Sequence, residues 1–192
     1  MQYIALLRGI NVGGHTVRME HLRGLFREIG LADVRSYIQS GNVFFSDPSA
    51  DRPVLASRIA GHLRDALGYE VPVFLRTQSE LEQVVARDPF RGVVVTPDLR
   101  LCVAFTADRI PPLDLPLRSA KNDMAIIDAS DYEAFMTWRI VDGRPPAFQS
   151  FLTKALQTQL TTRFFPTTAK ILEAAKGPGG PTHPADRDAG TD

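Results

Sequence analysis

The chain has 192 residues, of which 44% are apolar, 23% charged and 8% aromatic, the composition of an ordinary globular protein of one or two domains. Lys and Arg total 22, as do Asp and Glu, so no excess positive charge is present to hold a nucleic acid or an anionic membrane. The lone Cys102 excludes an intramolecular disulfide, a Cys-rich zinc site and a CxxC redox pair. Met1 to Arg8 lacks the basic segment and apolar length of a signal peptide, and no run reaches the ~20 apolar residues of a membrane span. A cytoplasmic protein is expected, with neither nucleic acid nor membrane as partner.

In chain order, Tyr3 to Leu7 is an apolar run that reads as the first strand. Asn11-Val12-Gly13-Gly14 follows as a Gly-rich loop, with Thr16 as expected N-cap of a helix. That helix places Leu22, Leu25, Phe26 and Ile29 on one buried face at the i, i+3, i+4, i+7 spacing. Gly30 is positioned to end it in the left-handed conformation. Val34 to Ile38 reads as the second strand, Ser40-Gly41-Asn42 as a turn and Val43 to Phe45 as the third strand. Asp51 is the expected cap of a second helix, with Pro53 in its first turn and Leu55, Ile59, Leu63, Ala66 and Leu67 inside. Gly68 ends it, and Val71 to Arg76 makes a fourth strand. The order is βαββαβ, the pattern of ferredoxin-like units.

The second half is a looser copy of that pattern. A linking helix is expected near Ser79, where Ser79 and Glu82 have capping-box spacing, ending before Asp88-Pro89. Strands are expected at Leu101–Phe105, Met124–Asp128, Tyr132–Ile140 and Gln159–Arg163. A helix runs through Phe148, Leu152, Ala155 and Leu156, and a last one from about Thr168 to Ala175. The first helix of this copy is crowded by Pro111, Pro112 and Pro116. The predicted fold class is α+β: two ferredoxin-like α/β-plait units, residues 1–78 and 79–176, and a mobile tail, 177–192, too poor in apolar residues to offset its ordering entropy. Continuous apolar runs in the first and third strands require cover on both sheet faces. The two units are therefore expected to pack together and to leave a cleft. No segment is strongly basic: residues 1–78 hold 9 basic and 7 acidic side chains, and 79–176 hold 12 of each.

One constellation has chemical potential. In a ferredoxin-like unit the strand order 4-1-3-2 makes strands one and three neighbours. The loop after strand one, Arg8 to Gly14, then meets the start of strand three, Gln39 to Asn42, beside the start of the first helix. Loop and helix amides favour an anion, with Arg8 adding charge. The candidate site comprises Arg8, Asn11, Gly13, Gly14, Gln39, Ser40 and Asn42, and its expected partner is a small anionic ligand. The competing structural reading is that the glycines serve tight turns and the polar groups satisfy loop backbone. Gly9 to Gly14 has the GxxxxG spacing of a phosphate-binding loop, but His15-Thr16 follows where Lys-Ser/Thr would stand, so the lysine that reaches the outer phosphates is missing.

Other groups read structurally. Cys102 lies in the apolar run Leu101–Phe105 and is expected as a buried thiol. His15, Glu20 and His21 match no helical metal spacing, so no metal and no cofactor is expected. His62 has no evident partner in sequence, and Asp128 and Asp131 bracket a turn. Phe44 and Phe45 are core rather than an RNA-stacking platform, and Trp138, Phe135, Phe164 and Phe165 belong to the second half's core or a domain interface.

At Ala5-Leu6-Leu7-Arg8-Gly9-Ile10-Asn11-Val12-Gly13-Gly14 and Tyr37-Ile38-Gln39-Ser40-Gly41-Asn42-Val43 the chain resembles a bacterial family catalogued as domain of unknown function 1697. Met19, Leu22-Arg23, Leu25, Gly30 and Asp33-Val34-Arg35 match in the same register, and the resemblance extends over about residues 1 to 176. It implies a two-part α/β-plait fold and supplies no activity, cofactor or catalytic residue. Family members often carry Gly-Arg-Ser-Lys and Thr-Arg-Asn-Trp before their last two helices. Here those stretches read Gly143-Arg144-Pro145-Pro146 and Thr162-Arg163-Phe164-Phe165. The resemblance thus implies that any function of those stretches is altered here, whereas the amino-terminal blocks are intact. Three readings remain open: a binding protein for a small anion, an enzyme acting on a phosphorylated or nucleotide-like substrate in the cleft, and an interaction or oligomerisation module. No reaction, ligand identity or oligomeric state follows from the residues.

Overall fold

The computed structural model describes residues 1–14, 16–49 and 51–177. His15 and the expected tail beyond Gly177 lie outside the described residues. Among those described, nine strands and five helices form a mixed α+β architecture with two antiparallel sheets. Two compact units are distinguished: Met1–Ser79 with the stretch from Lys170 onward, and Glu80–Ala169. None of the helices among the described residues is long and apolar enough to cross a membrane.

The first unit contains β1 (Gln2–Leu7), α1 (Met19–Glu28), β2 (Ala32–Tyr37), β3 (Asn42–Ser46), α2 (Arg52–Leu67) and β4 (Val73–Thr77), with sheet order β2-β3-β1-β4. Alternation along the strands sorts their side chains. Tyr3, Ala5, Leu7, Val43, Phe45 and Leu75 join Leu22, Leu25 and Phe26 of α1 and Leu55, Ile59 and Leu63 of α2 in one core. Phe45 stacks on Tyr3 at 5.7 Å and meets Phe26 at 5.6 Å. Burial of each such side chain is worth about 1.5–3 kcal/mol. On the opposite face Ile4, Leu6, Phe44 and Phe74 are also buried. Both faces of the central strands are therefore dry, which explains their unbroken apolar sequence.

The caps of α2 follow the sequence. Asp51 accepts a hydrogen bond from the Val54 amide, and Gly68 closes the helix at φ +79°. Its inner stripe runs Leu55, Ile59, Leu63 and, partly buried, Leu67; Ala66, expected inside, is exposed because the i+4 row passes through Leu67 instead. The helix α3 (Gln78–Ala86) follows β4 directly, so Ser79 lies inside it rather than capping it.

The second unit holds β5 (Leu99–Thr106), β6 (Leu117–Arg118), β7 (Met124–Ala129), β8 (Glu133–Arg139), α4 (Phe148–Leu156) and β9 (Leu160–Phe164), in sheet order β6-β7-β8-β5-β9. The last helix, α5 (Phe165–Ala175), follows β9 without a break. No helix joins β5 to β7. The prolines there remove amide donors and fix extended backbone, and Leu113, Leu115 and Leu117 pack against the core while Pro112, Asp114 and Pro116 face solvent. The expected helix is thus replaced by an extended segment with a two-residue period, ending in the short strand β6 that sequence reading missed. The core behind it includes Cys102, Met136, Trp138, Leu152 and Leu160.

Candidate functional site

The two stretches singled out in the sequence meet at one end of β1 and β3. Leu6 lies opposite Asn42 in the antiparallel register, the Leu7 amide donates to the Gly41 carbonyl at 2.8 Å, and the Arg8 amide donates to the Pro72 carbonyl at 3.0 Å. Gly41, at φ +72°, sits so close to β1 that an added Cβ would lie 3.0 Å from Leu7 Cβ and 3.2 Å from Ile10 Cβ. A side chain there would force the strands apart, so this glycine is required by contact as well as by conformation.

The side chains at this end divide into two groups. Asn11 and Asn42 hold backbone: Asn11 Nδ2 donates to the Gln39 carbonyl at 2.8 Å, and its Oδ1 accepts from the Val17 amide at 2.6 Å. Buried Asn42 donates to the Tyr37 carbonyl at 3.2 Å and to Ser40 Oγ at 3.0 Å. The structural reading therefore applies to these two amides. Arg8, Gln39, Ser40, Gly13 and Gly14, by contrast, are exposed. Gly9, Gly13 and Gly14 have φ of +82°, +63° and +89°, and among the described residues their amides donate to no protein acceptor. Consecutive backbone N–H groups in such turns form concavities suited to an anion. On the facing turn Ile38 sits at φ +51°, a conformation costly for a β-branched residue and held by the surrounding bonds.

The helix start does not join this group as expected. The Asn11–Val17 bond keeps the approach to α1 extended, Arg18 is the N-cap at φ −66°, ψ 137° with no side-chain cap, and Thr16 lies outside the helix. Glu20 occupies the first turn, where its carboxylate complements the helix dipole. Its hydrogen bond to Arg23 and the nearby Arg27 hold its carboxyl below the usual carboxylate range. An anion at this end would face the glycine loop, with the helix terminus already matched by Glu20.

The remaining candidates have structural partners. His62 Nε2 lies 2.9 Å from Glu28 Oε2, a pairing between helices that the sequence did not reveal. Asp128 is gripped by Arg87 through Nε at 2.5 Å and Nη2 at 2.8 Å, and that bond lowers its carboxyl pKa. Asp131 pairs with Arg109 at 2.6 Å. Cys102 accepts from Trp138 Nε1 at 3.2 Å, and burial pushes its thiol up to about 11, so it is a poor nucleophile. Trp138 stacks on Phe148 at 5.2 Å with rings 6° apart, while Phe164 is half exposed. Among the described residues no three His, Cys, Asp or Glu side chains converge as a metal would require.

Sequence reading missed the opposite end of the same strands. A cavity of about 620 Å³ opens beside Gln2 and Ser46 and is lined by residues of β1, β2 and β3 together with Ala175, Lys176 and Gly177. Sheet register alone foretells that Arg35 faces Phe44; nothing in the sequence brings Lys176 there.

No curated protein matches the chain. Among solved structures it is similar to the conserved bacterial protein SP0830 from Streptococcus pneumoniae, with a TM-score of 0.63 and 20% identity over 92% of this chain and 98% of that chain, a likeness of fold. Residues 1–128, which include both ends of the first sheet and both loop blocks, match the family model described as protein of unknown function (DUF1697), and the chain belongs to that family.

Proposed function

We propose that the chain binds a small anion at the loop Arg8–Gly14, with Gln39, Ser40 and Asn42 on the facing turn. The observation that carries this reading is the set of exposed Gly9, Gly13 and Gly14 amides with no acceptor among the described residues, on a loop that also bears Arg8. Asn11 and Asn42 hold the two turns in place, and Arg8, Gln39 and Ser40 supply charge and hydrogen bonds at the surface. The scaffold belongs to the same reading: two ferredoxin-like units, residues 1–78 and 79–176, in a cytoplasmic protein. Its support is that β2-β3-β1-β4 and β7-β8-β5-β9 repeat one strand order, with β6 added at the edge of the second; the buried free thiol of Cys102 suits a reducing compartment.

Thermal shifts with phosphate, sulfate and mononucleotides test the site. The expected result is stabilisation of the native chain that is lost in Arg8→Ala, whose unliganded midpoint is unchanged. Absence of any shift with all three, or a shift indifferent to Arg8, overturns the proposal.

A further inference from the structure

The end of the first sheet remote from the glycine loop is built as a second pocket. Register places Arg35, Phe44 and Ile4 side by side across β2, β3 and β1, on the face away from α1 and α2. Arg35 lies over the Phe44 ring, its Cζ 5.3 Å from the centroid. It is fixed by the last turn of α5, donating through Nη1 to the Ala174 carbonyl at 2.9 Å and through Nη2 to the Ala175 carbonyl at 3.0 Å. Those bonds offset the negative end of the helix dipole and engage two of five guanidinium N–H donors. Arg27 and Lys176 complete the positive lining, and Asp33 is the one carboxylate in it among the described residues.

We infer that this cavity binds a small organic anion carrying an apolar ring, a phosphate monoester or carboxylate whose ring lies on Phe44 and Ile4 while its charge meets Arg35, Arg27 and Lys176. Its volume suits a compact organic molecule. The apolar floor distinguishes it from a surface basic patch, because Ile4 and Phe44 offer nothing to a bare inorganic ion. The cations are available for exchange. Arg27 meets Glu20 at 3.4 Å and Lys176 meets Glu173 at 3.0 Å, and both carboxylates are largely exposed. Exposed pairs of that kind are weak and screened by salt, so a ligand anion can displace them. Arg35, held by backbone carbonyls and the ring, requires no reordering to bind.

The inference is independent of the glycine-loop site, and one experiment separates them. The ¹⁵N–¹H spectrum of the full chain is followed during titration with phenyl phosphate, benzoate and inorganic phosphate. The expected result is saturable movement of the Arg35, Phe44, Ser46 and Ala175 amides with phenyl phosphate, benzoate or both, at concentrations where inorganic phosphate leaves them in place. Arg35→Gln weakens that binding by about tenfold or more, the loss expected for one charge-assisted hydrogen bond. Lys176→Gln and Arg27→Gln, both at exposed positions, weaken it severalfold with an unchanged melting midpoint, and they decide the matter if Arg35→Gln loosens α5. The inference is overturned by no movement at these amides with either aromatic anion, by an equal response to inorganic phosphate (an adventitious ion only), or by binding undiminished in Lys176→Gln and Arg27→Gln.

Discussion

The two ends of β1 and β3 use polar residues in opposite ways. At the Leu7–Asn42 end, Asn11 and Asn42 hold the two turns and the exposed groups are chiefly glycine amides, Arg8, Gln39 and Ser40. At the Gln2–Ser46 end the strands finish against the end of α5, and three long cations surround an apolar floor. A loop dense in Gly and Asn therefore announces a tightly held turn first and a ligand second. A pocket can form where the sequence carries no motif, because its walls come from segments far apart in the chain.

The largest expected effect that sharpens this contrast is at Gly41. Replacement by Ala combines a left-handed conformation with a Cβ pressed on Leu7 and Ile10, and should cost about 3 kcal/mol in urea denaturation. Gly13→Ala and Gly14→Ala meet nothing within 4 Å and should cost only about 1 kcal/mol each, for conformation alone. Equal losses at all three positions would remove the distinction between a glycine that packs and glycines that shape a loop.

Next in size is Asn11→Ala, which breaks the bonds to Gln39 and Val17 and should destabilise by about 2 kcal/mol in the same measurement. Asn11→Asp keeps the acceptor for Val17 and loses the donor to Gln39, so roughly half of that loss is expected. If Asn11→Ala were neutral in stability, Asn11 would not be holding the loop.

The first unit was largely legible because its signals are local. Apolar runs, the Leu55–Ile59–Leu63 stripe, Asp51 and Gly68 each act within a few residues of the element they define. The meeting of Arg8–Gly14 with Gln39–Asn42 followed from strand order. Thr16 misled because the side chain of Asn11 captured the amide of Val17 and delayed the helix to Met19, a tertiary contact that overrides a local cap signal. The segment 107–123 was only half legible: its prolines argued against a helix, but the alternating burial of Leu113, Leu115 and Leu117 depends on the core they meet. The Arg35 pocket was beyond reach, since its closing bond joins residues 139 positions apart.

The glycine loop is tested most directly by titrating inorganic phosphate into the ¹⁵N-labelled full chain and following individual amides. The account predicts saturable shifts of Gly9, Gly13 and Gly14, absent in Arg8→Ala, while Arg35 and Ser46 stay in place. Unmoved glycine amides at millimolar phosphate would contradict it and leave the loop as a turn that serves the fold alone.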